Sequence, residues 1–119
     1  LEVKNANDTD SSVSIIQKGT NDQGRINVLG GDRLVYYSTA TGYATGNNIS
    51  DGNTHKYLLS ANNGTIKQFF DGALIDTNTN ASDELTNISI VGNPRDFNVV
   101  QYLVFPETLS DADCITLTT

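Results

Sequence analysis

Tyr57-Leu58-Leu59-Ser60-Ala61-Asn62-Asn63-Gly64-Thr65-Ile66-Lys67-Gln68-Phe69-Phe70-Asp71-Gly72-Ala73-Leu74-Ile75-Asp76 is the stretch on which the fold turns. Asn62-Asn63-Gly64 and Asp71-Gly72 are strong hairpin signals, because Asn, Asp and Gly tolerate the positive φ that tight two-residue turns demand. Between and around these turns the side chains alternate. His55, Tyr57, Leu59 and Ala61 share one face of the first strand. Ile66, Gln68 and Phe70 share one face of the second, with Phe69 on the other. Period-two alternation broken by such turns predicts a three-strand antiparallel meander from Tyr57 to Asp76.

Toward the C-terminus, Ile88 and Ile90 alternate with Asn87 and Ser89, and Asn93-Pro94 reads as a turn. Phe97 to Phe105 is the longest apolar run: Phe97, Val99, Leu103 and Phe105 on one face, Val100, Tyr102 and Val104 on the other. A strand apolar on both faces is expected to be central and covered twice. Pro106 ends it. Ser110-Asp111-Ala112-Asp113 is the one helix start in the chain, with Ser110 as cap and Asp113 answering it as in a capping box.

Toward the N-terminus the pattern is also one of short strands. Leu1 and Val3, Val13 and Ile15, and Ile26 and Val28 alternate with polar residues, and Leu34 to Tyr37 makes a further strand. Turn clusters at Gly19 to Gly24 and Gly30 to Asp32 separate them. Ala40 to Thr54 holds Gly42, Gly46 and Gly52 and almost no core residue, and reads as the longest loop. The whole therefore reads as one all-β domain over 1–119, an antiparallel β-sandwich with one short C-terminal helical turn.

The 119 residues suffice for one core without a metal or disulfide. Cys114 is the single cysteine, expected as a small buried hydrophobe. The formal net charge of -7 repels phosphate, so neither nucleic acid nor an anionic membrane is an expected partner. No apolar run approaches the ~18 residues of a membrane helix. The chain starts at Leu1 and contains no Met, as expected of a processed chain or fragment.

Ser50-Asp51-Gly52-Asn53-Thr54-His55, then Tyr57-Leu58-Leu59, Phe69-Phe70-Asp71-Gly72-Ala73-Leu74, Ile88-Ser89-Ile90-Val91-Gly92, the Phe97 to Phe105 run and Leu109-Ser110-Asp111-Ala112-Asp113 follow one another in a telling order. In that order and spacing they resemble the laminin-G-like and concanavalin-A-like jelly-roll modules, over roughly Ser50 to Ile115. The resemblance implies a jelly-roll sandwich and a rim of loops that bind ligand. Thr54 stands where those modules usually carry Trp, and the chain is short for the family. A missing N-terminal strand or two would leave an edge for a neighbour to cover.

Some relatives of such sandwiches are glycoside hydrolases, whose chemistry needs two carboxylates flanking the scissile bond. Their Glu-x-Asp-x-(x)-Glu spacing is absent: Glu2, Glu84 and Glu107 stand apart, and Asp83 and Glu84 would point to opposite faces of a strand. His55 is the single histidine, with no Gly-x-Ser-x-Gly to pair it, and is expected to pack at a strand start under a loop. No catalytic residue is expected. Asp71-Gly72 reads as a turn and not a ligand site.

Asp8, Asp10, Asp22, Asp32, Asp51 and Asp96 keep calcium open as a cofactor, although no Asp-x-Asn-x-Asp-Gly loop occurs and solvated turn acids are the favoured reading. Tyr43, Asn47 and Asn48 combine an aromatic face for the CH-rich side of a sugar with planar amides for its hydroxyls, and are the expected ligand-binding residues. Tyr36, Tyr37 and Tyr102 are expected at half-buried sandwich positions. Asn-x-Ser/Thr at Asn7, Asn48, Asn63, Asn80 and Asn87 is no more than an Asn-rich chain would show. The expected function is a non-catalytic, lectin-like binding or adhesion module, extracellular or on a virion surface such as a fibre, recognising glycan or cell-surface carbohydrate. The alternative is a structural sandwich that self-associates into a fibre, filament or oligomer through strand edges.

Overall fold

In a computed structural model, the structure describes residues 2–5, 13–17, 25–29, 33–38, 41–48, 51–79, 89–90 and 97–119, with side chains for Glu2, 51–79 and 100–119. The strands are β1 (Glu2–Asn5), β2 (Val13–Gln17), β3 (Arg25–Leu29), β4 (Arg33–Ser38), β5 (Thr41–Asn48), β6 (Thr54–Asn62), β7 (Thr65–Phe70), β8 (Ala73–Asn78), β9 (Ser89–Ile90) and β10 (Phe97–Gln101). Helix α1 (Asp111–Thr118) follows them. Strand order is β10-β1-β6-β7-β8 in one set and β5-β4-β3-β2-β9 in the other.

The antiparallel β6-β7-β8 sheet carries α1 on one face. Tyr57 pairs with Phe70 and Asn62 with Thr65 across the first hairpin. Phe70 pairs with Ala73 across the second, and a register shift falls between Gln68 and Phe69. Both hairpins turn through positive φ as expected, at Asn63 (46°) and Gly64 (75°), and at Asp71 (44°) and Gly72 (79°). These are the left-handed values that match the natural twist of paired strands. The meander thus forms where the sequence places it, with β6 starting at Thr54.

Residues are buried on both faces of this sheet. Tyr57, Ile66, Gln68 and Phe70 are buried on one face. Lys67 and Phe69 point to the other by alternation, and there Lys67 Nζ donates to both carboxylate oxygens of Asp111, at 2.8 and 2.7 Å. Asp111, Cys114 and Thr118 share one stripe of α1 at the i, i+3, i+7 spacing. Cys114 and Thr118 are buried, and Phe69 is fully so. The helix therefore lies over Phe69, whose burial contributes about 2–3 kcal/mol. Ser110 caps α1 as expected: its Oγ accepts from the Asp113 N–H at 3.2 Å and donates to Asp113 Oδ2 at 2.5 Å. The helix runs eight residues, longer than the short turn expected, because its buried stripe reaches Thr118.

Two expectations fail. The stretch Ala40 to Thr54 is not one loop, since β5 occupies Thr41–Asn48 and pairs with β4, setting Tyr43 opposite Tyr36 and Gly42 opposite Tyr37. The ladder to β4 outweighs the low strand propensity of its glycines. The run Phe97 to Phe105 is neither one strand nor central. β10 ends at Gln101 and, among the described strands, lies at the edge of its set, paired with β1 alone. It ends at the residue opposite Glu2, the first of β1, so the ladder stops where its partner strand stops. Beyond it, Leu103, Val104 and Phe105 are exposed, as is Val100. The expected turns at Gly19 to Gly24, Gly30 to Asp32 and Asn93-Pro94 lie outside the described residues.

Candidate functional site

Among the described residues, the densest polar cluster stands where the chain enters β6. Asp51-Gly52-Asn53 makes a tight turn, with Gly52 at φ 82°. Asp51 Oδ1 accepts from the Asn53 N–H at 2.8 Å, and Asp51 Oδ2 accepts from Asn53 Nδ2 at 2.7 Å. This is the local self-bonding by which Asp favours turns. One strand residue later His55 points back. Its Nε2 lies 2.9 Å from Asp51 Oδ1. Its Nδ1 lies 2.7 Å from Asp71 Oδ2, on the β7-β8 turn. Asp71 Oδ1 also accepts from the Lys56 N–H at 2.9 Å, and the Asp71 N–H donates to the Lys56 carbonyl at 3.0 Å. The ring stacks on Phe70, with centroids 5.2 Å apart and planes inclined by 22°.

His55 is only 7 % exposed. Burial alone would lower its pKa, but the bonds and charges of Asp71 and Asp51 outweigh it, and the net direction is up from 6.5. Asp51 is held down, from 3.8 to about 2, first by the Asn53 backbone N–H, then by the Asn53 side chain and His55. With both nitrogens facing carboxylates, the ring acts as a strut between two turns. It packs at the strand start as the sequence leads one to expect, and Asp71-Gly72 is a turn as expected.

A second polar chain crosses the sheet. The Tyr57 hydroxyl donates to Gln68 Oε1 at 2.5 Å, and Gln68 Nε2 donates to Asp76 Oδ2 at 3.0 Å. The end of α1 joins the same β7-β8 turn, where the Gly72 N–H donates to Thr118 Oγ1 at 3.2 Å. Thr118 Oγ1 itself donates to the Cys114 carbonyl at 2.8 Å.

The expected ligand residues Tyr43, Asn47 and Asn48 lie on strand β5, not on a loop. Tyr43 pairs with Tyr36 and Asn48 with Arg33, and the register shifts between these two pairs. Of the acids considered for calcium, Asp8, Asp10, Asp22, Asp32 and Asp96 lie outside the described residues. Asp51 commits both oxygens to Asn53 and His55. Among the described residues no group of three His, Cys, Asp or Glu side chains could hold a metal ion, and no helix is long and apolar enough to cross a membrane. Tyr102 is half-buried, and burial pushes its phenol pKa up.

Sequence reasoning took Asp51, His55 and Asp71 one at a time and missed that they meet. The available signal was the i, i+4 spacing of Asp51 and His55 around Gly52, followed by a second Asp-Gly turn one hairpin later. Compared with protein-family models and with curated proteins, the chain matches none.

Proposed function

We propose that the chain is a non-catalytic binding or adhesion module built as a laminin-G-like jelly-roll sandwich, displayed outside a cell or on a virion surface, and recognising glycan. The observation that carries this reading is the meeting of three separate sequence motifs at one end of the sheet. Asp51 and Asp71 close on His55, and Gly72 closes on Thr118 at the end of the helix that Ser110-Asp111 begins. Those are the motifs on which the family resemblance rests. The single histidine spends both nitrogens on carboxylates, which favours a structural role for it over general-base work. Tyr43 and Asn47, both on β5, would supply the stacking face and a planar amide, with Asn48 at the strand end. A glycan array probed with and without calcium tests the reading: binding that Tyr43→Ala abolishes while the fold is kept supports it, and an array with no binder sinks it.

The second reading is a structural subunit that joins copies through strand edges. The exposed apolar residues Val100, Leu103, Val104 and Phe105, on and after an edge strand, favour it. Native mass measurement separates the two, because a sugar-binding monomer supports the first and an obligate assembly without ligand supports the second.

A further inference from the structure

We propose that Asp51, His55 and Asp71 form a proton-dependent clasp, in which a doubly protonated His55 ring ties the 51–53 turn and the β7-β8 turn to the head of β6, and loss of one ring proton releases the 51–53 turn. The hydrogen-bonding capacity of the ring decides which form fits. A neutral imidazole has one N–H and one lone pair, whereas imidazolium has two N–H donors. Both His55 nitrogens sit within hydrogen-bond distance of a carboxylate oxygen, at 2.7 and 2.9 Å. An ionised carboxylate only accepts, so a neutral ring would set a lone pair against one of them. The geometry is satisfied in full only by the cation.

The two contacts are not equally anchored. Asp71 sits in a two-residue turn and is held independently, through Oδ1, by the Lys56 N–H. Among the described residues, Asp51 is otherwise bonded within its own turn, to Asn53. When one proton leaves, Nδ1–H stays with Asp71, and Nε2 turns its lone pair toward Asp51 Oδ1. The repulsion is relieved by the 51–53 turn moving away, and that turn joins β5 to β6. The neutral form is thus the Nδ1–H tautomer, the less common one for a free imidazole.

The surroundings of the ring add no other charge to this balance among the described residues. Phe70 of β7 covers one ring face. Val3 of β1 stands opposite His55, while Glu2 and Lys4 stand opposite Lys56 and Thr54, one position to either side. Thr118 and Thr119, at the end of α1, approach the β7-β8 turn at Gly72 with uncharged side chains. Asp51 and Asp71 are the acids that face the ring, and Lys56, its neighbour on β6, meets Asp71 through the backbone. The clasp works whether or not the chain binds sugar.

The test is nitrogen-15 NMR of the His55 ring in the intact chain, from about pH 5 to about pH 10, together with the exchange rate of the Asn53 amide. The expected result is a midpoint above 6.5, a ring protonated on both nitrogens below it and an Nδ1–H tautomer beyond it, with the protection of the Asn53 amide, relative to its intrinsic exchange rate at each pH, falling through the same midpoint. Asp51→Asn lowers the midpoint, and Asp111→Asn, on the far side of the sheet, leaves it in place. A midpoint at or below 6.5, an Nε2–H tautomer, or an Asn53 amide indifferent to the titration overturns the proposal.

Discussion

The Tyr57 hydroxyl and Gln68 Oε1 meet at 2.5 Å on the buried face of the sheet, one strand apart, with both residues only 1 % exposed. Removing the hydroxyl takes a donor from a buried carbonyl oxygen that water does not reach. Tyr57→Phe is expected to cost about 1–3 kcal/mol, read as a lower urea midpoint at unchanged slope. A double-mutant cycle with Gln68→Leu is expected to show coupling, because the pair shares one bond.

Stability should depend on pH at both ends of the His55 cluster. His55 has a folded pKa raised above 6.5, so its contribution is complete below 6.5 and is lost as pH rises through the folded value. Asp51 is lowered from 3.8 to about 2, so its contribution is complete above 3.8 and is lost as pH falls toward 2. Thermal unfolding across pH is expected to show a plateau between about 4 and 6.5, with a decline on each side. His55→Gln is expected to remove the alkaline decline and leave the acid one.

Two glycines separate backbone strain from crowding. Gly52 has φ 82° and open space where a Cβ would stand, whereas Gly72 has φ 79° and would place a Cβ 2.9 Å from Thr119 Oγ1. Gly52→Ala is expected to cost the left-handed penalty alone, about 1–2 kcal/mol. Gly72→Ala is expected to cost more, because Thr119 Oγ1 is held by its bond to the Ile115 carbonyl at 2.8 Å. Thermal midpoints of the two variants, compared with the parent, check the order.

Cys114 is fully buried on the inner stripe of α1, and burial, with Asp111 and Asp113 nearby, pushes its thiol pKa up. A thiol that is both inaccessible and protonated reacts slowly. Labelling by a thiol reagent is expected to be far slower in the native protein than in denaturant. Phe69→Ala, which removes the ring under the helix at a cost of about 3–5 kcal/mol, is expected to speed it.

The legible parts of the molecule were those that local rules govern. Asn63-Gly64 and Asp71-Gly72 announce their turns because few residue pairs tolerate two successive positive φ angles. The strands beside them show alternation, and Ser110 with Asp113 announces the start of α1. Where a partner strand decides, local reading failed. Thr41 to Asn48 looks like a loop by its glycines, yet β4 gives it a ladder. Phe97 to Phe105 looks like a central strand by its apolarity, yet its pairing stops at Gln101, opposite the first residue of β1.

By itself the sequence determined the meander, its two turns, the capped helix start and a buried-cysteine expectation, because each depends on φ, ψ and burial over a few neighbouring residues. Tertiary structure alone decided that Lys67 would meet Asp111, 44 positions on, and that His55 would lie between Asp51 and Asp71. The physical reason is that a hydrogen bond between distant segments depends on which strands pair and in what register, and no spacing along the chain records that choice.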